Sequence, residues 1–282
     1  MRPRYALLGD PVDHSISPDM HRAAFRTWGL DAEYVARTVT ADEVGQAMRG
    51  AGLAGGNVTL PHKLVAAETV ARASRAVQAT GACNCWWRAE DGELAGDNTD
   101  VGGLGLALNR LGFKAENARV LVLGAGGAAR AAVHTLLEAR ASRVEILNRT
   151  PARARALRDA TGGRGLYVVE APDPGMPYDL VLNATSLGLS TADPLPLELD
   201  RGRFRLACDL VYAAGETQWV RHARSLGIRA GDGLEMLVGQ AALSLRRWFP
   251  GRTPPVDAMR AAAVEALDRR EGGAGQGAAA DR

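Results

Sequence analysis

Residues 119–124 (RVLVLG) form an almost continuous apolar run that closes on Gly124-Ala125-Gly126-Gly127-Ala128-Ala129 and passes into an alanine-rich helical stretch. A run of this kind marks a strand buried on both faces, which requires a parallel sheet covered by helices. The glycines fit G-x-G-x-x-A between a strand and a helix, the context that gives the pattern meaning. Gly124 permits the tight turn, Gly126 lets backbone N–H groups approach a pyrophosphate, and Ala129 allows close helix–strand packing. The competing reading is a purely structural glycine turn. Further apolar runs at 144–149, 166–169, 178–185 and 205–212 alternate with helical stretches at 151–160 and 217–226. That alternation predicts a doubly wound α/β sheet.

The strand after the glycine loop ends at Asn148-Arg149-Thr150, with Arg153 one helical turn later. A chain that prefers NAD places Asp or Glu there to hold the ribose 2′-OH. Two guanidiniums instead suit a 2′-phosphate, so NADP is the expected cofactor. The bland alternative is a solvated basic helix start in an arginine-rich protein.

The chain has 282 residues, enough for about two domains of ~100–150 residues. Its 34 basic and 32 acidic residues leave a net charge of +2, so no strong field selects nucleic acid or an anionic membrane. The N-terminus lacks the apolar core of a secretory signal, and no stretch reaches the ~18 uninterrupted apolar residues of a membrane span. Three cysteines, an odd number, fit a reduced cytoplasmic setting.

The first hundred residues read as a second α/β region. Strands are expected at 4–9, 33–39 and 56–60. Ser17-Pro18 reads as an N-cap and first helical residue, Thr40 to Glu43 as a capping box, and Pro61 as another helix start. Asp91-Gly92 marks a hairpin between 82–88 and 93–96, before a helix at 101–111. Helices return at 234–249 and, after Pro254-Pro255, to about 269; the tail 271–282 is expected to be disordered. Cys83-x-Cys85 has no partner pair at zinc spacing, so packing is expected and metal is not. Trp86 and Trp87 should face opposite sides. His14 and His21 read as structural or peripheral, and His62 as a surface residue.

Ketone reduction by a nicotinamide needs a proton donor beside the carbonyl oxygen. Lys63, one of only two lysines, and the carboxylates of Gly96-Asp97-Asn98-Thr99-Asp100 are candidates. From spacing alone an ordinary surface ion pair is the default reading for such a combination.

Motifs appear in order along residues 4–250: Ser15-Ile16-Ser17-Pro18 with His21, Asn57-Val58-Thr59-x-Pro61-x-Lys63, Gly81-Ala82-x-Asn84, Asn98-Thr99-Asp100, the 124–130 loop, Asn148-Arg149-Thr150, Asn183-Ala184-Thr185-Ser186, and Gly233-Leu234-x-Met236-Leu237-Val238-x-Gln240-Ala241. Together they resemble the shikimate dehydrogenase family. The resemblance implies NADP-dependent interconversion of 3-dehydroshikimate and shikimate by a monomer or homodimer. It implies that Ser15 and Ser17 hold the substrate carboxylate, and that Thr59, Asn84 and Gln240 contact the carboxylate end or ring hydroxyls. Lys63 and Asp100 are implied as the catalytic pair, and Tyr212 as a residue lining the substrate pocket. Thr185, Gly233 and Met236 are implied near the nicotinamide end of the cofactor, although Met236 also reads as plain helix core.

The implied organisation is a substrate domain of 1–101 plus 233–270 and a cofactor domain of 102–232, with the helices near 101–111 and 234–249 as hinges. Cys85, Val101, Ala214, Gln218 and Glu235 depart from the family's common pattern, and Glu235 falls near the expected nicotinamide site. The runner-up activity is a quinate or dual quinate/shikimate dehydrogenase. The alternative of another class is a non-catalytic nucleotide-binding module, which would be expected to lose Lys63 or Asp100.

Overall fold

The structure is a computed structural model describing residues 2–190 and 192–277, with side chains to 271. The chain forms two compact units, one of residues 1–99 with 238–282 and one of residues 100–237. In chain order the first unit holds β1 (Arg4–Gly9), α1 (Ser17–Thr27), β2 (Glu33–Thr38), α2 (Ala41–Arg49), β3 (Gly55–Val58), α3 (Lys63–Thr69), β4 (Arg72–Ala73), α4 (Arg75–Thr80), β5 (Cys85–Arg88) and β6 (Leu94–Asp97). The second holds α5 (Thr99–Arg110), whose first residue belongs to unit one, then β7 (Arg119–Leu123), α6 (Gly127–Glu138), β8 (Arg143–Leu147), α7 (Pro151–Ala160), β9 (Leu166–Val169), β10 (Leu180–Asn183), β11 (Leu206–Asp209), α8 (Gln218–Ser225) and β12 (Arg229–Gly231). Two helices close the chain, α9 (Leu234–Trp248), most of it in the first unit, and α10 (Val256–Gly277).

The second unit's sheet is all parallel, in the order β12-β11-β10-β7-β8-β9. Read from the other edge, its strands run 3-2-1-4-5-6, the doubly wound order expected. Alternation along β7 explains its apolar run. Val120 and Val122 pack on one face with Val133 and Leu136 of α6, while Leu121 and Leu123 pack on the other with Trp219 and Val220 of α8. The order reverses between β7 and β10, and such sheets bind ligands beyond that point.

The first unit's sheet is mixed, in the order β2-β1-β3-β5-β6-β4, with β5 antiparallel to both neighbours. One face packs Ala6, Leu8, Val58 and Trp86 against Val44 and Met48 of α2 and Ala66 of α3. Elsewhere Tyr5 stacks on Trp248 of α9 with ring centroids 4.7 Å apart and lies 5.8 Å from Phe25 of α1. Trp86 is fully buried and Trp87 half-buried, the division expected of adjacent strand residues.

Three expectations need correction. Ile16, not Ser17, occupies the N-cap position of α1 and makes no side-chain cap; the Ser15 hydroxyl oxygen instead accepts the Ser17 N–H at 3.2 Å and so satisfies a first-turn donor. His62 is buried rather than exposed, its ring nitrogen Nε2 lying 2.7 Å from the Val39 carbonyl. The backbone of α10 continues to Gly277, past the expected start of the tail, since extending an existing helix adds a hydrogen bond for each residue fixed. The tail expectation for 278–282 lies outside the described residues. No helix among the described residues is long and apolar enough to cross a membrane.

Candidate active site

In the first unit several of the candidate residues are tied to the dipeptide Cys83-Asn84. The Lys63 carbonyl accepts the Cys83 N–H at 2.8 Å, which fastens the start of α3. The Asn84 Oδ1 accepts the Thr99 N–H at 2.7 Å and the Thr99 hydroxyl at 3.1 Å, which fastens the start of α5. Lys63 and Asp100, 37 positions apart, thus leave segments tied to adjacent residues. Lys63 is half-buried and Asp100 buried.

A buried polar network holds this dipeptide. Asn57 Nδ2 donates to the Asn84 carbonyl at 3.0 Å and to Ser244 Oγ at 2.8 Å, and Asn57 Oδ1 accepts the Tyr34 hydroxyl at 2.9 Å. Ser244 Oγ donates to the Gln240 carbonyl at 3.0 Å and lies 3.2 Å from Thr99 Oγ1. Asn84 Nδ2 donates to Gln240 Oε1 across 3.4 Å. These bonds matter here, since each unmet buried polar group costs about 1–3 kcal/mol.

Asp97, the other carboxylate of the Asp97–Asp100 stretch, is already committed. It accepts from Arg247 Nε at 2.7 Å, from Ser74 Oγ at 2.5 Å and from the Asn98 N–H at 2.8 Å. Its partner Arg247 is 150 residues away, beyond any local reading. Ser244 was also missed, although a serine four residues after Gln240 places two polar groups on one side of α9.

Thr59 is half-buried in the turn before α3, its N–H bonded to the Leu8 carbonyl at 2.8 Å. Ser15 is half-buried and Ser17 buried. His21 is fully buried, with Nδ1 2.9 Å from the Ser17 carbonyl and its ring stacked 4.1 Å from Tyr34. Burial pushes its pKa down to about 4, so Nδ1–H donates from a neutral ring. Burial likewise pushes the Cys83 thiol up to about 12, which makes it inert packing.

In the second unit Gly124 ends β7 at φ +106°, and an added Cβ would lie 2.8 Å from the Ala184 carbonyl oxygen beyond β10. The reversal point is therefore closed at its base to anything larger than glycine. Gly126 caps α6, and a Cβ there would meet nothing within 4 Å. Ala125, Gly127 and Ala128 are half-buried beside it, and no acidic residue occupies the first turn. These are the free N–H groups and open space an anionic pyrophosphate requires.

Asn148 Nδ2 donates to the Thr150 carbonyl at 2.8 Å and shapes the turn into α7. Arg149, Thr150 and Arg153 are exposed there, and no ion pair among the described residues involves either arginine. The residues present thus fit an NADP-type dinucleotide.

Beyond β10 and β11 two loops share one anchor. The fully buried Asp209 accepts from Asn183 Nδ2 at 2.8 Å, the Val211 N–H at 3.0 Å and Thr217 Oγ1 at 2.8 Å. Burial raises its pKa against the pull of these three donors. Asn183 Oδ1 in turn accepts the Thr185 N–H and hydroxyl at 3.0 and 2.7 Å. Tyr212 is half-buried, next to Val211. The Gly233 N–H bonds the Val211 carbonyl at 3.0 Å, and a Cβ on Gly233 would lie 2.2 Å from the Leu210 carbonyl oxygen. Met236 is buried in the second unit's core. Glu235, the conspicuous departure, pairs with Arg110 of α5, which offsets its charge.

A doubly wound sheet with a glycine loop at its reversal point, joined in one chain to a mixed-sheet unit rich in hydroxyl and amide groups, defines a two-unit α/β enzyme that uses a nicotinamide nucleotide. The chain belongs to the shikimate dehydrogenase family. Residues 7–86 match its substrate-binding domain, 105–188 the shikimate/quinate 5-dehydrogenase domain, and 233–264 the shikimate 5′-dehydrogenase C-terminal domain. The shikimate dehydrogenase (NADP(+)) of Rubrobacter xylanophilus is 42% identical over 266 residues, covering 91% of this chain and 93% of its own. The crystal structure of shikimate 5-dehydrogenase from Thermus thermophilus in complex with shikimate superposes with a TM-score of 0.82 at 37% identity, covering 94% of this chain and 99% of its own. A shikimate dehydrogenase in complex with NADP+ also gives 0.82, at 28% identity and with 94% and 96% covered.

Proposed function

We infer that this protein is an NADP-dependent shikimate dehydrogenase, which reduces 3-dehydroshikimate reversibly to shikimate in aromatic biosynthesis. The observation that carries the reading is the double fastening at Cys83-Asn84, which ties the segments bearing Lys63 and Asp100 to neighbouring residues within a buried polar network. NADPH, when bound, supplies the hydride to the ketone carbon. Gly124 to Ala128 would cradle its pyrophosphate, and Arg149, with Arg153, Asn148 and Thr150, would hold the 2′-phosphate. Thr185, Gly233 and Met236 would border its nicotinamide end.

Lys63, as an ammonium, stabilises the developing alkoxide and donates the proton to it. Asp100 orients the reacting hydroxyl and Lys63. Ser15 and Ser17 receive the substrate carboxylate, while Thr59, Asn84, Tyr212 and Gln240 contact the ring and its hydroxyls. A site built from hydroxyl and amide partners rejects analogues lacking those groups, because its own polar atoms are then left unpaired. The cytoplasm is the compartment proposed, in keeping with three unpaired, buried cysteines.

The test is turnover by the purified protein. NADPH should be consumed with 3-dehydroshikimate, and kcat/KM should favour shikimate with NADP over quinate with NAD. NADPH binding without turnover would leave a nucleotide-binding module instead.

A further inference from the structure

We propose that Arg270, near the end of α10, is a positioning residue for the carboxylate-binding segment 14–17 and selects for an anionic substrate. The proposal rests on the reading that Ser15 and Ser17 receive the carboxylate. The Arg270 guanidinium donates to the backbone carbonyls of both His14 and Ser15, the latter at 3.0 Å. Among the described residues no other donor reaches these two carbonyls. Residues 14–16 are irregular chain between β1 and α1, so they have no ladder of their own to fix them. Its internal bonds are short-range: the Ser15 N–H to the Val12 carbonyl at 2.9 Å and the Ser17 N–H to Ser15 Oγ at 3.2 Å. A planar fork spanning two successive carbonyls is a task for arginine, not lysine.

The charge matters as much as the fork. Arg269, one residue earlier, is neutralised by Asp19 at 2.8 Å, whereas no ion pair among the described residues involves Arg270. Ser15 and Ser17 are neutral donors that bond a carboxylate or a hydroxyl alike. A nearby guanidinium with no carboxylate partner among the described residues favours the anion, and salt weakens that preference. Because Arg270 is only half-buried, its loss should alter binding with little effect on global stability.

The full-length protein is tested as Arg270→Met, Arg270→Lys, Arg269→Met, Ser15→Ala and Ser17→Ala. Arg270→Met should raise KM for 3-dehydroshikimate by about tenfold, the scale of lost charge-assisted hydrogen bonds. Its kcat, KM for NADPH and Tm should stay at wild-type values, and the rise of KM with salt should flatten. Arg270→Lys should recover the salt dependence and part of the KM, and Arg269→Met should change neither. A wild-type KM in Arg270→Met, or joint shifts of both KM values and Tm, would overturn the proposal. If the two serine variants raise KM while Arg270→Met does not, the carboxylate reading stands and Arg270 has no such role. If none of the three raises KM, both fall together.

Discussion

Lys63 and Arg149 make the most direct demands at the scale of single residues. Replacing Lys63 by Ala removes the proposed proton donor and should lower kcat by roughly 10²–10⁴ without unfolding the protein. Steady-state rates near wild type would remove Lys63 from the reaction. Arg149→Asp replaces an exposed guanidinium just after β8 with a carboxylate suited to a free 2′-OH. KM for NADPH should rise by about tenfold or more and KM for NADH should fall; equal changes for both nucleotides would count against 2′-phosphate recognition. His21 sets a pH dependence. Its pKa falls from 6.5 to about 4 on folding, so between about 4 and 6.5 the unfolded chain binds the extra proton and the folded one does not. This contribution is intact above 6.5 and fades as pH drops toward 4, by about 3 kcal/mol in all. Urea unfolding from neutral to acid pH should therefore show wild type losing stability relative to His21→Phe on acidification, and a constant difference would refute it.

Elements enter where loops are pinned to strand ends. Gly124 combines a positive φ with the close approach of Ala184, so Gly124→Ala strains the turn and forces β7 and β10 apart at their ends. Thermal unfolding should show a loss of about 1–3 kcal/mol and NADPH titration a weaker affinity; an unchanged affinity would mean that the turn tolerates a side chain. Elements with strong periodic or capping signals are legible in the sequence. Thr40 and Glu43 form the expected cap, with Glu43 Oε2 accepting the Thr40 N–H at 2.8 Å. The short pieces were not. β4 and β12 have two and three residues, too few for a pattern to repeat, and exist because a neighbouring strand offers an edge. α4 was missed although its signals were present, the Ser74 hydroxyl accepting the Val77 N–H at 3.3 Å and Gly81 closing it at φ +63°.

At the scale of the whole molecule, the two units differ in chain continuity. The second is a single stretch, 100–237, with apolar clusters on both faces of its own sheet. Expressed alone, it should unfold cooperatively and bind NADPH, as circular dichroism and titration would show, yet have no turnover because Lys63 is absent. A fragment that stays unfolded would show that the clusters do not suffice. The first unit needs α9 and α10 from the far end of the chain, which bring Ser244, Arg247 and Arg270 to the first hundred residues.

Apolar runs, turn glycines and capping pairs act over a few residues, and so the sheet type, the glycine loop and the residue types of the site could be read along the chain. The partners could not. Asp97 is held by Arg247, Asn57 by Ser244 and the Ser15 carbonyl by Arg270, pairs separated by 150, 187 and 255 residues. That Asp97 is spent on structure depends on such a distant hydrogen bond, whose directional, short-range geometry exists only once packing has brought the segments together.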